Sequence, residues 1–138
     1  MEKQRPNVSQ DSSLSISSVV LGELVDKALF IPLVIGLVAL VDLSTTLFSV
    51  LALLLGSLCT LAGAYYAANR AKRAFITHAM LVAALTFAIS FVRFLFAQSS
   101  DEPSVHPLWW EFVSWGFVFI SGYIGGFLAQ NRAQSANA

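Results

Sequence analysis

Charge is what this chain most lacks. Only 12 % of its 138 residues are Asp, Glu, Lys or Arg, against about 25 % in an ordinary soluble domain. Eight basic residues balance eight acidic ones, so the basic excess of a nucleic-acid binder is missing and no nucleic-acid partner is expected. A single cysteine, Cys59, excludes a disulfide scaffold and a dithiol redox cycle. The two histidines, His78 and His106, fall towards opposite ends of the apolar segments, so they are not expected to share a metal. No P-loop, HExxH or GxSxG motif occurs. These absences point away from an enzyme, a metal and a cofactor. What is abundant is apolar: 57 % of the residues, with a mean hydropathy of +0.72. That composition belongs to an integral membrane protein.

The apolar residues divide into four spans, at about 24–43, 47–68, 74–97 and 108–128. The second is the clearest, because Leu47 to Ala68 gives 22 residues without a charge. At about 1.5 Å per residue that crosses a hydrocarbon core about 30 Å thick. The third is interrupted by His78 and Arg93, and the fourth carries Glu111 one turn inside its start. The first is the weakest: its uncharged stretch, Ala28 to Val41, has 14 residues and contains Pro32. It spans only by borrowing flanking residues, with Lys27 snorkelling to one interface and Asp42 lying at the other; a re-entrant segment is the alternative. The expected fold is therefore all-α, a polytopic bundle of four transmembrane helices over residues 19–130. Residues 1–18, polar and serine-rich, read as a disordered tail and 131–138 as a second tail.

Orientation follows from the basic residues. Lys3, Arg5 and Lys27 precede or open the first span, Arg70, Lys72 and Arg73 join the second to the third, and Arg132 follows the fourth. Seven of the eight thus fall on one side, and Asp42, Asp101, Glu102 and Glu111 gather near the other. The positive-inside rule places both termini in the cytoplasm, with Arg70, Lys72, Arg73 and Arg132 as anchors at that face. A multi-pass protein of a bacterial inner membrane is the expected setting.

The even spans end alike. Gly63, Ala67, Asn69, Arg70 and Ala71 reappear as Gly125, Ala129, Asn131, Arg132 and Ala133, each 62 residues on. Two helical hairpins in parallel repeat would produce this pattern, as would chance similarity of apolar helices. Small residues four apart let helices approach closely in lipid, which marks Gly56, Gly63, Ala67, Gly122, Gly125, Gly126 and Ala129 as packing positions. The pattern leaves open whether they pack within a chain or between chains. The Asn-Arg pairs are expected to end their helices. From Gly63 to Ala133 the layout resembles small bacterial four-span membrane proteins with a GG-x-x-A-x-x-R-A phrase after the even spans. That resemblance implies a fold and a compartment and no activity; in the first copy Ala64 replaces the second glycine.

Charges within or beside the spans are the candidate site. Arg93, Glu111 and Asp42 are expected at similar depth near the outer face, as an ion pair of Arg93 with Glu111 or Asp42, or as an ion or solute site. His78 is a proton relay only if Glu23 or Asp26 is close; otherwise it is a hydrogen-bonded histidine. Glu23 and Lys27, four apart, form a favourable helix pair. The leading expectation is a non-catalytic packing or assembly component, bound to lipid and to its own copies or a larger membrane protein. A small transporter or channel using the Asp42, Arg93 and Glu111 cluster is the alternative.

Overall fold

The computed structural model describes residues 14–41, 46–98 and 107–136. They form four helices: α1 (Ile16–Leu40), α2 (Thr46–Ala71), α3 (Phe75–Gln98) and α4 (Leu108–Ser135), with no strand among the described residues. The fold is the expected all-α bundle. Helices α2, α3 and α4 are long and apolar enough to cross a membrane. α1 has the length, 25 residues or about 37 Å, but carries Glu23, Asp26 and Lys27 in its first half.

α2 and α3 are central. α2 packs against each of the other three helices and so does α3, whereas α1 and α4 make no close backbone contact among the described residues. The α1–α2 hairpin thus has its counterpart in α3–α4, but the α2–α3 contact has none between α4 and α1. The second half of α1 is correspondingly open: from Ala28 to Leu40 only Leu37 is buried.

The core is made of small side chains. Ala64, Ala67, Ala68, Ala79, Val82 and Ala129 are wholly buried, flanked by Val19, Tyr65 and Phe75. Dispersion between closely approaching backbones substitutes for large interdigitating side chains, as helix association in lipid requires. A different layer joins α3 to α4 further along, where Trp115 meets Phe87, Phe91, Phe94 and Phe112 edge-on at centroid distances of 5.2–5.7 Å.

Several boundaries differ from those expected. α1 begins at Ile16, inside the stretch read as a tail, because Ser18, Gly22, Glu23 and Asp26 bury a polar stripe against other helices. α4 continues to Ser135, well past residue 128 and through most of the second expected tail. Asn131 and Arg132 therefore lie inside a helix. α2 does end near its Asn-Arg pair, but the turn is made by Lys72 and Ala74, with φ of 56° and 45°. These are left-handed conformations that cost an L-residue energy. α1 runs without a break through Pro32.

Candidate functional site

Two carboxylates, a lysine and two threonines meet inside the bundle. Glu23, Asp26 and Lys27 come from α1, Thr60 from α2 and Thr86 from α3. Asp26, Thr60, Thr86 and Glu23 are buried, with 2 to 7 % of their surface exposed. The Thr86 hydroxyl donates to Glu23 Oε2 at 2.7 Å and lies 3.2 Å from Asp26 Oδ2. Thr60 Oγ1 is 3.5 Å from the same Asp26 oxygen. Lys27 Nζ stands 3.0 Å from both Asp26 Oδ2 and Glu23 Oε1. It donates to Asp26, whereas Glu23 Oε1 gains the ion pair without a hydrogen-bond partner. Formally the group carries two negative charges and one positive.

Its depth follows from the helix rise. The start of α1, the end of α2 and the start of α3 share one end of the bundle, where the Ser15 N–H donates to His78 Nε2 at 3.0 Å. From that end, Asp26 lies ten residues into α1, Thr60 eleven back along α2 and Thr86 eleven into α3. At about 1.5 Å per residue each is roughly 15–16 Å in. The cluster therefore sits near the middle of the bundle's length, the depth at which a bilayer makes an uncompensated charge dearest. Mutual pairing and threonine hydroxyls replace the water these groups lack.

His78 is wholly buried and does not reach the carboxylates. Its Nδ1 faces the Ala74 carbonyl oxygen at 3.0 Å and its Nε2 accepts from Ser15. One tautomer satisfies both contacts: Nδ1–H donating and Nε2 accepting. The ring pins the start of α1 to α3.

Two members of the outer cluster, Arg93 and Glu111, are among the described residues. Asp42 lies outside the described residues. Arg93 is exposed, Glu111 is half-buried, and no ion pair joins the two. The expected Arg93–Glu111 pair is absent, and the alternative pairing of Arg93 with Asp42 falls outside the described residues. The cause is azimuth: Phe87, Phe91 and Phe94 turn one face of α3 towards Trp115, and Arg93 points about 200° round the helix from Phe91. Equal depth did not bring the charges onto facing surfaces.

The packing positions fall at interfaces within the chain. A Cβ on Gly63 would lie 2.5 Å from the Gly22 carbonyl oxygen, and one on Gly125 2.8 Å from that of Leu61. Cβ atoms on Gly122 and Gly126 would meet Ala83 Cβ at 2.6 Å and Ala79 Cβ at 2.8 Å. Ala67 and Ala129 are fully buried, while Gly56 faces only the Phe30 ring. The matched glycines do not do matched work: Gly63 faces α1 and Gly125 faces α2. Among the anchors, Arg132 donates to Tyr65 Oη at 2.7 Å, tying α4 to α2. Arg70 and Lys72 border a cleft at the same end of the bundle, and Arg73 is exposed.

Sequence reasoning missed Gly22 and the threonines of the cluster. The signal for the first was present: Ser18, Gly22 and Asp26 recur every four residues and form one buried row. Thr60 and Thr86 carry no signal of their own in an apolar helix. No known family, curated protein or solved structure matches the chain. The class of protein rests on the fold: an all-helical bundle with three helices fit to cross a membrane.

Proposed function

We propose that this chain is a multi-pass protein of a cell membrane, in bacteria the inner membrane, that works by helix association and not by catalysis. All four helices lie in the bilayer and both termini face the cytoplasm. One observation carries the reading. Gly63, Gly122, Gly125 and Gly126 of α2 and α4 are consumed within the chain, and the open Gly116 of α4 stands between Phe112 and Ile120. Yet Ala28, Pro32 and Gly36, four apart on α1, form an exposed row, with nothing beyond the helix's own backbone within 4 Å of a Cβ built on Gly36. The absent α4–α1 contact leaves this helix room for a neighbour. The neighbour is a second copy or a larger membrane protein. The seven basic residues towards one side support the orientation. The test is crosslinking in native membranes from a single cysteine at position 36, in a Cys59→Ser background. Crosslinks to a second copy or a larger protein are expected, and their absence at every tested position along α1 overturns the reading.

A second reading is favoured by the mid-depth cluster: a small transporter of protons or other cations working at Glu23, Asp26 and Lys27, in place of the outer cluster. Two buried carboxylates against one lysine supply hard oxygen ligands and a formal negative charge at a depth where charges are rarely idle. Proton or sodium flux in liposomes, lost in Glu23→Gln and Asp26→Asn, would support it. Wild-type liposomes no leakier than empty ones would end it.

A further inference from the structure

At the end of the bundle where α1 starts and α2 stops, a cleft of about 510 Å³ opens between the two helices. Ser15, just before α1, and Ser17 and Ser18 on it line one side, and Asn69, Arg70 and Lys72 from α2 and the turn after it the other, with Tyr66 beside them. Among the described residues the lining contains two cations and no carboxylate. The three hydroxyls form a chain, Ser15 Oγ lying 2.9 Å from Ser18 Oγ and 3.2 Å from Ser17 Oγ. Those two contacts use two of their three hydrogens. The first turn of α1 has no acidic residue, and Ser15 makes no side-chain cap, so the positive end of the helix adds to Arg70 and Lys72. Like charges gathered in one cleft and fringed with hydroxyl donors suit a phosphate oxyanion.

The surface leading away from the cleft says where that phosphate comes from. Ser17, Val20 and Leu24 follow one another down one face of α1, and Val20 and Leu24 are 53 % and 64 % exposed. Ile16, beside Ser17, is 75 % exposed. A polar cationic cleft continued by an exposed apolar track has the form of a phospholipid, headgroup first. We propose that the cleft binds the phosphate of an anionic phospholipid, with an acyl chain along Val20 and Leu24. A zwitterionic lipid fits less well, because its ammonium would face Arg70 and Lys72. The proposal requires only that the bundle be membrane-embedded. It is independent of any transport, and its acyl track ends where the row Ala28, Pro32 and Gly36 offered to the α1 neighbour begins.

The test is native mass spectrometry of the full chain in mild detergent, titrated with phosphatidylglycerol or phosphatidylcholine. One phosphatidylglycerol is expected to stay bound in preference to phosphatidylcholine. Arg70→Gln and Lys72→Gln should each weaken its retention about five-fold. Arg93→Gln, which removes the same charge at the opposite end of α3, should leave it unchanged. Ser17→Ala should weaken retention with no change of charge, separating a built site from diffuse attraction. Equal retention of the two lipids overturns the proposal. So does an equal loss in Arg93→Gln, or displacement of the lipid by millimolar inorganic phosphate, which would make the site one for free phosphate. Thermal unfolding of each variant in the same detergent identifies any that has lost its fold. For such a variant, Arg70→Lys, which keeps the charge, must restore retention or the proposal fails.

Discussion

Thr86 Oγ1 lies 2.7 Å from Glu23 Oε2, joining α3 to α1 across the middle of the bundle. Because the same hydroxyl is 3.2 Å from Asp26, one side chain of α3 serves both carboxylates of α1. Hydrogen bonds to charged groups contribute about 1.5–3 kcal/mol when buried. Thr86→Val keeps the shape and removes the donor. It should lower stability by about 2 kcal/mol, read as a lower melting temperature in detergent, and Thr86→Ser should recover most of the loss. An unchanged melting temperature in Thr86→Val would show that the hydroxyl does not hold α1.

Glycines in this chain divide sharply by what surrounds them. A Cβ on Gly63 would lie 2.5 Å from a backbone oxygen, whereas one on Gly36 or Gly116 would meet nothing within 4 Å. Gly63→Ala should therefore force α1 and α2 apart and cost about 1–3 kcal/mol. Gly116→Ala should be neutral or slightly stabilising, since alanine is the better helix former. Gly63→Leu and Gly126→Leu should disrupt the fold in detergent. If Gly63→Ala and Gly116→Ala melt together, the close crossing of α1 with α2 is wrong.

His78 predicts where α1 frays. Its Nε2 accepts from Ser15 N–H at the first turn, and a leucine there has no acceptor to offer. His78→Leu should speed amide exchange in residues 15–19 about five-fold, corresponding to roughly 1 kcal/mol. Exchange near Thr86 should be unaffected. Uniform acceleration along α1 would mean that the ring supports the whole helix and not its start.

The corrected pair has its own test. Arg93 and Glu111 make no ion pair with each other, so Arg93→Gln and Glu111→Gln should act independently. A double-mutant cycle on melting stability should return a coupling within about 0.5 kcal/mol of zero. A clearly favourable coupling would restore the pair.

How much of this was legible depends on what a one-dimensional pattern encodes. Leu47 to Ala68 is uncharged throughout, so α2 could be read directly from the cost of burying charge in lipid. The start of α1 could not. Ser18, Gly22, Glu23 and Asp26 look expensive on any transfer scale, and become cheap only when Thr86, Thr60 and Gly63 lie opposite. Arg93 and Glu111 show the complementary gap. Residue counting gives depth along a helix, but contact also needs azimuth, which here is set by the aromatic stripe of Phe87, Phe91 and Phe94.

Lys27 decides how the cluster is balanced. Its ammonium is the cation within 3.0 Å of both Glu23 and Asp26, and its side chain remains 34 % exposed. Lys27→Met leaves two carboxylates facing each other with only threonine hydroxyls between them. Breaking a fully buried pair costs about 3–5 kcal/mol, and the partial exposure of Lys27 reduces this to roughly 2 kcal/mol. Adding Glu23→Gln to the same chain removes one of the stranded charges and keeps an acceptor for Thr86. The double variant should therefore melt higher than Lys27→Met alone. The ordering of the two melting temperatures is the measurement. A double variant less stable than the single one would mean that Glu23 is held by something other than the balance of charge at this site.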